Sequence, residues 1–401
     1  MANYFDTKKN PRKAYGGLLL ILAIALVFPF IAQNFGNSWV RIMDFALLYI
    51  MLALGLNVVV GFAGLLDLGY IAFYAIGAYL TALLASPQFA VVLESFVNQY
   101  PPIGEALLWV FGPEIAQNGI HLSLWAIVPL AALVAGFFGA LLGAPTLKLR
   151  GDYLAIVTLG FGEIIRIFMN NLNGPVNITN GPQGINMIDP IRIFGVSLNG
   201  EAGSRATVMI GDYAMPSVNA YYFLFLFLCI AIIFISVRLQ NSRLGRAFVA
   251  IREDEIAAKA MGINTRNVKL LAFAMGASFG GVAGAMFAAF QGFVSPESFS
   301  LTESIAVLAM VVLGGMGHIP GVVLGGIILA ALPEVLRHVV EPLQKSLFGE
   351  VLIDAEVLRQ LLYGLAMVLI MLYRPAGLWP SPKSEDLSLI HISEPTRQEA
   401  I

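Results

Sequence analysis

Apolar segments separated by short polar connections dominate this sequence of 401 residues and restrict it to folds that lie in a lipid bilayer. Ten such segments are residues 16–32, 42–60, 68–85, 122–147, 153–169, 220–237, 270–290, 304–317, 321–332 and 357–373. A bilayer core of about 30 Å needs about 20 residues of helix to cross it. Only 12% of the residues are charged, whereas a soluble domain carries about a quarter. The sequence therefore predicts an all-α, polytopic integral membrane protein with about ten transmembrane or partly re-entrant helices.

The distribution of Lys and Arg predicts the orientation, because cytoplasmic connections retain positive charge. When ten spans alternate from a cytoplasmic N-terminal tail (residues 1–15), most basic residues fall on the inner side. The outer connection 86–121 has acidic residues but no Lys or Arg. Both termini are therefore predicted to be cytoplasmic. Residues 170–219, rich in Asn, Gly and Pro, are predicted to form a periplasmic loop with several turns.

The chain is predicted to contain a membrane domain over residues 16–380 and a C-terminal tail over residues 381–401. Residues 387–401 resemble translated adaptor or vector sequence and are predicted to be non-native. The net charge of -2 gives no support for nucleic-acid binding. The single cysteine excludes disulfides within the chain, and no H-E-x-x-H pattern is present, so neither a metal site nor catalytic residues are predicted.

Residues 238–269 form the only long inner connection, and they are the most charged stretch of the chain. Asp254 is a suitable N-cap for a short helix, Glu255 favours the positive helix N-terminus, and Gly262 ends the helix after about two turns. One face of this helix is apolar and would fit a groove in a partner. That face consists of Ile256, Ala257, Ala260 and Met261.

Taken alone, this short helix fits equally well on a lipid surface, with Arg243, Arg246 and Arg252 directed at headgroups. However, the pattern resembles the E-A-A-x-x-x-G loop of ABC importer permeases, which docks into an ATPase subunit. The resemblance implies a cytoplasmic coupling loop. The residues implied in ATPase coupling are Asp254, Glu255, Ala257, Ala258 and Gly262. No G-x-x-x-x-G-K-[ST] phosphate loop occurs in the chain, so ATP would bind partner subunits and no cofactor is predicted here.

A wider resemblance covers residues 41–380. Its motifs are residues 61–79, 150–166, 245–262, 295–299, 312–317 and 374–378. They resemble the LivM-type permeases of branched-chain amino acid ABC importers. This resemblance implies transport of leucine, isoleucine or valine across a bacterial inner membrane. It also implies a second permease, two cytoplasmic ATPase subunits and a periplasmic substrate-binding protein. Relatives with the same pattern carry urea or amides, and the motifs do not identify the solute.

Two glycine-rich turns are the best candidates for a substrate pathway. Asn57 and Asp67 flank the first turn, which contains Gly61 and Gly64, and the second contains Gly314 and Gly317. Irregular backbone at membrane depth lines cavities rather than lipid, and matching broken segments in two halves indicate a transport path. The alternative is that glycines permit close helix crossings, which is the interpretation favoured for Gly276, Gly280 and Gly284.

Glu163 and Arg166 are ionisable residues near the middle of a predicted span, and such residues are functional candidates. Their i, i+3 spacing allows an ion pair. We favour a pair that stabilises packing over a polar lining for a zwitterionic substrate. A secondary amino-acid carrier would show several such acids and no docking loop, so the ABC permease is the leading hypothesis.

Overall fold

The computed structural model describes residues 11–146, 149, 151–193, 196–199, 207–210, 213–348, 354–374 and 376–379. Most of these residues are helical. The helices are α1 (Pro11–Ala32), α2 (Asn37–Asn57), α3 (Ile71–Leu84), α4 (Gln88–Gln99), α5 (Pro101–Asn118), α6 (Leu124–Thr146), α7 (Asp152–Asn171), α8 (Ser217–Gln240), α9 (Arg243–Glu253), α10 (Glu255–Ala260), α11 (Thr265–Gln291), α12 (Leu301–Gly314), α13 (Ile319–Phe348) and α14 (Ala355–Tyr373). The strands are β1 (Ala85–Ser86), β2 (Ile120–His121), β3 (Arg192–Ile193), β4 (Val196–Ser197), β5 (Thr207–Ile210) and β6 (Tyr213–Pro216), which form three antiparallel pairs. The protein is thus mainly, not entirely, α-helical.

A helix occupies each of the ten predicted apolar segments. Within the part of the chain that the structure describes, six helices are long and apolar enough to cross a membrane. Those six are Asn37–Phe62, Leu124–Thr146, Ser217–Gln240, Thr265–Gln291, Pro296–Gly314 and Ile319–Ser346. Three shorter apolar helices are Leu20–Ala32, Ile71–Leu84 and Val357–Tyr373. The count of about ten crossings and the cytoplasmic termini stay predictions. Residues 1–10 of the N-terminal tail and the whole C-terminal tail, 381–401, lie outside the described residues.

Two predictions about individual segments were wrong. The outer connection 86–121 is not a loop but a helical hairpin of α4 and α5, joined to the bundle by the pairing of β1 with β2. The ninth segment is not short, because α13 has 30 residues and continues past the predicted end at residue 332. Polar residues beyond position 332 are paired along the helix, as in the Arg337–Glu334 ion pair of 3.2 Å.

The centre of the bundle is formed by α2 and α11. Helix α11 packs closely against α3 and α6, and α2 packs against α8, α11 and α13. A Cβ atom added to Gly276 would lie 2.5 Å from Val59 Cγ2 and 2.9 Å from the Gly55 carbonyl oxygen. The packing role predicted for Gly276, Gly280 and Gly284 is therefore confirmed.

Two of these glycines, Gly276 and Gly280, also place Ser278 in a G-x-S-x-G pattern. The pattern lies in the middle of α11, where the Ser278 hydroxyl donates to the Ala274 carbonyl at 2.8 Å. A nucleophile elbow requires a strand-to-helix turn, so this serine is not a catalytic nucleophile.

Connections that are predicted to be outer contact one another. At the end predicted to be outer, the Asp189 amide donates to the Ala85 carbonyl at 2.7 Å. There the Ile185 amide also donates to the Val294 carbonyl at 2.8 Å. Residues 185–189 of the loop are therefore held beside the ends of α3 and α11.

Candidate functional site

The two glycine-rich turns predicted to mark a pathway lie against each other. The Asn57 side-chain oxygen accepts a hydrogen bond from the Gly317 amide at 2.8 Å. A Cβ atom added to Gly61 would lie 2.5 Å from the same amide nitrogen. We call this contact between residues 61–64 and 314–317 the glycine junction. It is formed by two chain segments that are distant in the sequence, at the ends of α2 and α12.

The backbone at the junction depends on glycine. Gly64 has a φ of +69° and Gly317 has a φ of +81°, which is the left-handed region where other residues are strained. Helix α2 ends in a π-helical turn, Val58–Phe62, and the chain then stays non-helical as far as Tyr70. The predicted breaks in both helices are therefore confirmed.

The non-helical segment between α2 and α3 is largely buried, and two of its backbone groups are bound by neighbouring helices. The Leu68 amide donates to Thr158 Oγ1 of α7 at 3.0 Å, and the Ser304 hydroxyl of α12 donates to the Leu68 carbonyl. Asp67 is 1% exposed, and one of its carboxylate oxygens accepts from the Gly69 amide at 2.9 Å. The other has no hydrogen-bond partner among the described residues. This irregular backbone is thus enclosed by protein rather than exposed to lipid.

Glu163 and Arg166 form the predicted i, i+3 ion pair, with Arg166 Nη2 3.0 Å from Glu163 Oε2. Arg166 Nη1 also lies 3.6 Å from Glu297 in the 3₁₀ turn Pro296–Phe299. The pair ties α7 to that turn, in agreement with the packing interpretation. A direct role in a substrate pathway stays a prediction.

The inner loop forms two helices, α9 and α10. Asp254 caps α10 as predicted, because one of its carboxylate oxygens accepts from the amides of Ile256 at 2.8 Å and Ala257 at 3.0 Å. Gly262 has a φ of +85° and follows the helix end. Helix α9 was not predicted. Ser242 is a residue type that commonly caps a helix N-terminus, and its side chain accepts a hydrogen bond from the Gly245 amide.

The apolar face predicted on α10 is exposed. Ile256 is 69% exposed and Met261 is 82% exposed, whereas Ala258 is buried in the chain itself. Glu255 forms a 2.6 Å ion pair with the buried Lys269 of α11. Ala258 and Glu255 therefore hold the helix in place, and the exposed face is free to contact another protein. We call α10 the docking helix.

Arg252, at the end of α9, joins this loop to the glycine junction. Its Nη1 atom donates to the Gly61 carbonyl at 2.6 Å. A Cβ atom added to Gly317 would lie 3.1 Å from that nitrogen, and one added to Gly64 would lie 2.6 Å from Arg252 Cγ. From the sequence, Arg252 was only one of three candidates for lipid headgroups. Its partner is a backbone carbonyl that no sequence pattern indicates.

The C-terminal motif at residues 374–378 closes the end of α12. The Leu378 amide donates to the Leu313 carbonyl at 2.8 Å, and the Trp379 amide donates to the Gly314 carbonyl at 3.3 Å. His318 Nδ1 lies 2.9 Å from the Trp379 carbonyl. Carbonyls at the end of a helix lack hydrogen-bond donors within the helix. The amides of residues 378 and 379 donate to two such carbonyls of α12.

Acidification is expected to loosen this closure. Burial lowers the pKa of His318 below its ordinary value of 6.5, although the hydrogen bond to Trp379 opposes the shift. The unfolded chain then binds a proton at higher pH than the folded chain, so local stability falls as pH drops below about 6.5. In a variant with Trp39, Trp109 and Trp125 changed to Phe, Trp379 fluorescence should change with a midpoint below pH 6.5. His318→Gln should remove the transition, and persistence of the transition in that variant would contradict the assignment.

Comparison with known proteins places these features in a family context. Residues 38–371 match the family described as "Branched-chain amino acid transport system / permease component". The chain is 40% identical, over 92% of its length and 75% of the relative, to the high-affinity branched-chain amino acid transport system permease protein LivM of Escherichia coli. It is 27% identical to the probable LivM permease of Methanocaldococcus jannaschii, over 83% of this chain and 90% of the relative. It is also 25% identical to LivH of Salmonella typhimurium, a permease protein of the same kind of system, over 84% of this chain and 92% of the relative. No solved structure matches the chain.

Proposed function

Because this chain belongs to the family of branched-chain amino acid transport permeases, we propose that it forms part of the channel of an ATP-driven importer for these amino acids. The chain is a multi-pass membrane protein and a transport component, not an enzyme. The observation that carries the proposal is the contact between the inner loop and the glycine junction. A docking surface and a break in the membrane helices are thereby joined by one side chain.

The proposed solutes are leucine, isoleucine and valine. Support comes from the names of the relatives, including one that is 40% identical over most of this chain. Urea or an amide is the alternative within the same importer class. None of the described contacts ranks these solutes, so the choice depends on the relatives.

The proposed assembly contains this chain, a second permease, two ATPase subunits and a periplasmic binding protein. The similarity of this chain to both LivM and LivH supports a channel made of two related permeases. ATP would bind the ATPase subunits, which would receive the exposed face of the docking helix. Asp254, Glu255, Ala258 and Gly262 would position that face, and Ala257, which is exposed, would form part of it.

We further propose ten crossings of the bacterial inner membrane with both termini and the inner loop in the cytoplasm. The inner connections after α2, α8, α12 and α14 meet at one end of the bundle, which supports this order of crossings. In that orientation the glycine junction lies at the cytoplasmic end of the pathway. Asn57, Gly61, Gly64, Gly314 and Gly317 would form its inner boundary, with Asp67 further along it.

Reconstitution of the assembly tests the function. Proteoliposomes should contain both permeases and the ATPase subunits, with ATP enclosed and the binding protein outside, loaded with radiolabelled leucine. Uptake is expected to require ATP and the binding protein, and to persist when ionophores collapse the proton and sodium gradients. Uptake of leucine by the permeases alone, driven by a gradient, would indicate a secondary carrier. Uptake of labelled urea but not of leucine would overturn the proposed choice of solute and leave the importer class in place.

A further inference from the structure

One arginine connects the docking helix to both halves of the glycine junction. Arg252 lies in the last turn of α9, and Asp254, the N-cap of α10, follows it by two residues. Two residues span at most about 7 Å when extended, so α10 cannot move far without moving Arg252. The Asp254 amide also donates to the Ala250 carbonyl at 3.1 Å, which links the end of α9 to the start of α10.

Helix α9 is packed firmly enough to transmit such a movement. Phe248 is 0% exposed and Ile251 is 6% exposed, so the inner face of α9 is buried against the bundle. Helix α9 lies against α8, α11 and the π-helical turn that ends α2. Packed interiors transmit displacement because they contain few voids.

The Arg252 guanidinium binds the C-terminal end of α2. The last carbonyls of a helix carry partial negative charge and lack internal partners. Gly61 belongs to the final turn of α2, and its carbonyl accepts the 2.6 Å hydrogen bond from Arg252. A hydrogen bond from a charged donor is stronger than one between neutral groups.

The same side chain also lies across the second turn. Its Nη1 atom lies beside Gly317 of the second turn, and its Cγ atom lies against Gly64 of the first turn; neither glycine has a Cβ atom to prevent the approach. Gln240 of α8 donates to the Gly317 carbonyl at 3.4 Å from the neighbouring side. Arg252 is therefore positioned to hold the two turns together.

We propose that Arg252 is the positioning residue that couples the docking helix to the glycine junction, keeping the junction closed until the docking helix moves. This proposal rests on the proposed function for what moves the helix. The contact itself depends only on the permease. When α10 is displaced by a partner, the Arg252–Gly61 hydrogen bond breaks, the Asn57–Gly317 hydrogen bond between the turns loses that support, and the two turns separate.

The first test uses the purified permease without partners. Hydrogen exchange should be measured by mass spectrometry on peptides covering residues 58–65 and 314–318. Arg252→Ala is expected to increase exchange there about tenfold. Arg252→Lys should increase it less, because the lysine ammonium keeps a charged donor, although it does not reproduce the guanidinium geometry. Arg243→Ala, which removes an exposed arginine from the same helix, is the matched control and should leave exchange unchanged. Unchanged exchange in Arg252→Ala overturns the proposal.

The second test uses the reconstituted assembly. Arg252→Ala should retain the ATPase subunits and hydrolyse ATP within about twofold of the unmodified assembly, while uptake per ATP falls at least tenfold. Normal uptake per ATP, or loss of the ATPase subunits, would contradict a coupling role. If Arg252→Ala does not fold, uptake per ATP hydrolysed is compared between the unmodified assembly and the Arg252→Lys and Arg252→Gln variants. If the unmodified assembly takes up no leucine but the exchange effect is present, the proposed function fails and the closure of the junction by Arg252 stands.

Discussion

Changing both Ile256 and Met261 to aspartate is expected to reduce ATP-dependent uptake by at least tenfold without unfolding the permease. These are the two most exposed apolar side chains of the docking region, at 69% and 82%. Central apolar residues of an interface commonly contribute about 2 kcal/mol or more each, and about 1.4 kcal/mol corresponds to a tenfold change in affinity. Uptake and retention of the ATPase subunits during purification are the measurements.

Lys259→Asp is the matched control for this double variant. Lys259 is exposed on α10 but lies outside the apolar face, so the change places a carboxylate on the same helix without altering that face. Uptake should stay within about twofold. Equal loss in the control and the double variant would point to a general charge effect, and retention of the ATPase subunits by the double variant would contradict docking through this face. Ala258 is unsuitable for this test because it is buried and its replacement would disturb the loop itself.

Gly276→Leu is expected to cause a large loss of stability in the helix core. The added Cβ would lie 2.5 Å from Val59 Cγ2 and 2.9 Å from the Gly55 carbonyl, and the rest of the side chain has no space. Overpacking costs about 1–3 kcal/mol, and here relief requires α2 and α11 to separate. We expect the thermal unfolding temperature in detergent to fall and the monodisperse fraction in size-exclusion chromatography to decrease severalfold.

Gly160→Leu provides the comparison on another helix. Gly160 lies on α7 with no heavy atom within 4 Å of an added Cβ, so the same change of residue meets open space. Its unfolding temperature should match or exceed that of the unmodified chain, because leucine favours helix more than glycine does. If Gly276→Leu unfolds at the same temperature as Gly160→Leu, the close crossing of α2 and α11 is not required for stability.

Local features of the sequence were sufficient for the apolar helices and for the two ends of the docking helix. The apolar segments place a helix at each predicted position, and Asp254 and Gly262 bound the docking helix as predicted. Hydrophobicity, capping and the freedom of glycine act over a few residues, so they can be recognised without a tertiary structure. The hairpin of α4 and α5 was missed because its acidic residues resemble those of a loop, while Val92 and Leu93 are buried.

The sequence by itself therefore determined a multi-span helical membrane protein, its family resemblance, the exposed apolar face of the docking helix and the two breaks at glycine. Only the tertiary structure decided that the breaks meet, that Asn57 joins them, and that Arg252 reaches both from the inner loop. Arg252 and Gly61 are 191 positions apart, and the acceptor is a main-chain carbonyl that every residue type possesses. Contacts of this kind depend on how whole helices pack, so no local pattern in the sequence records them.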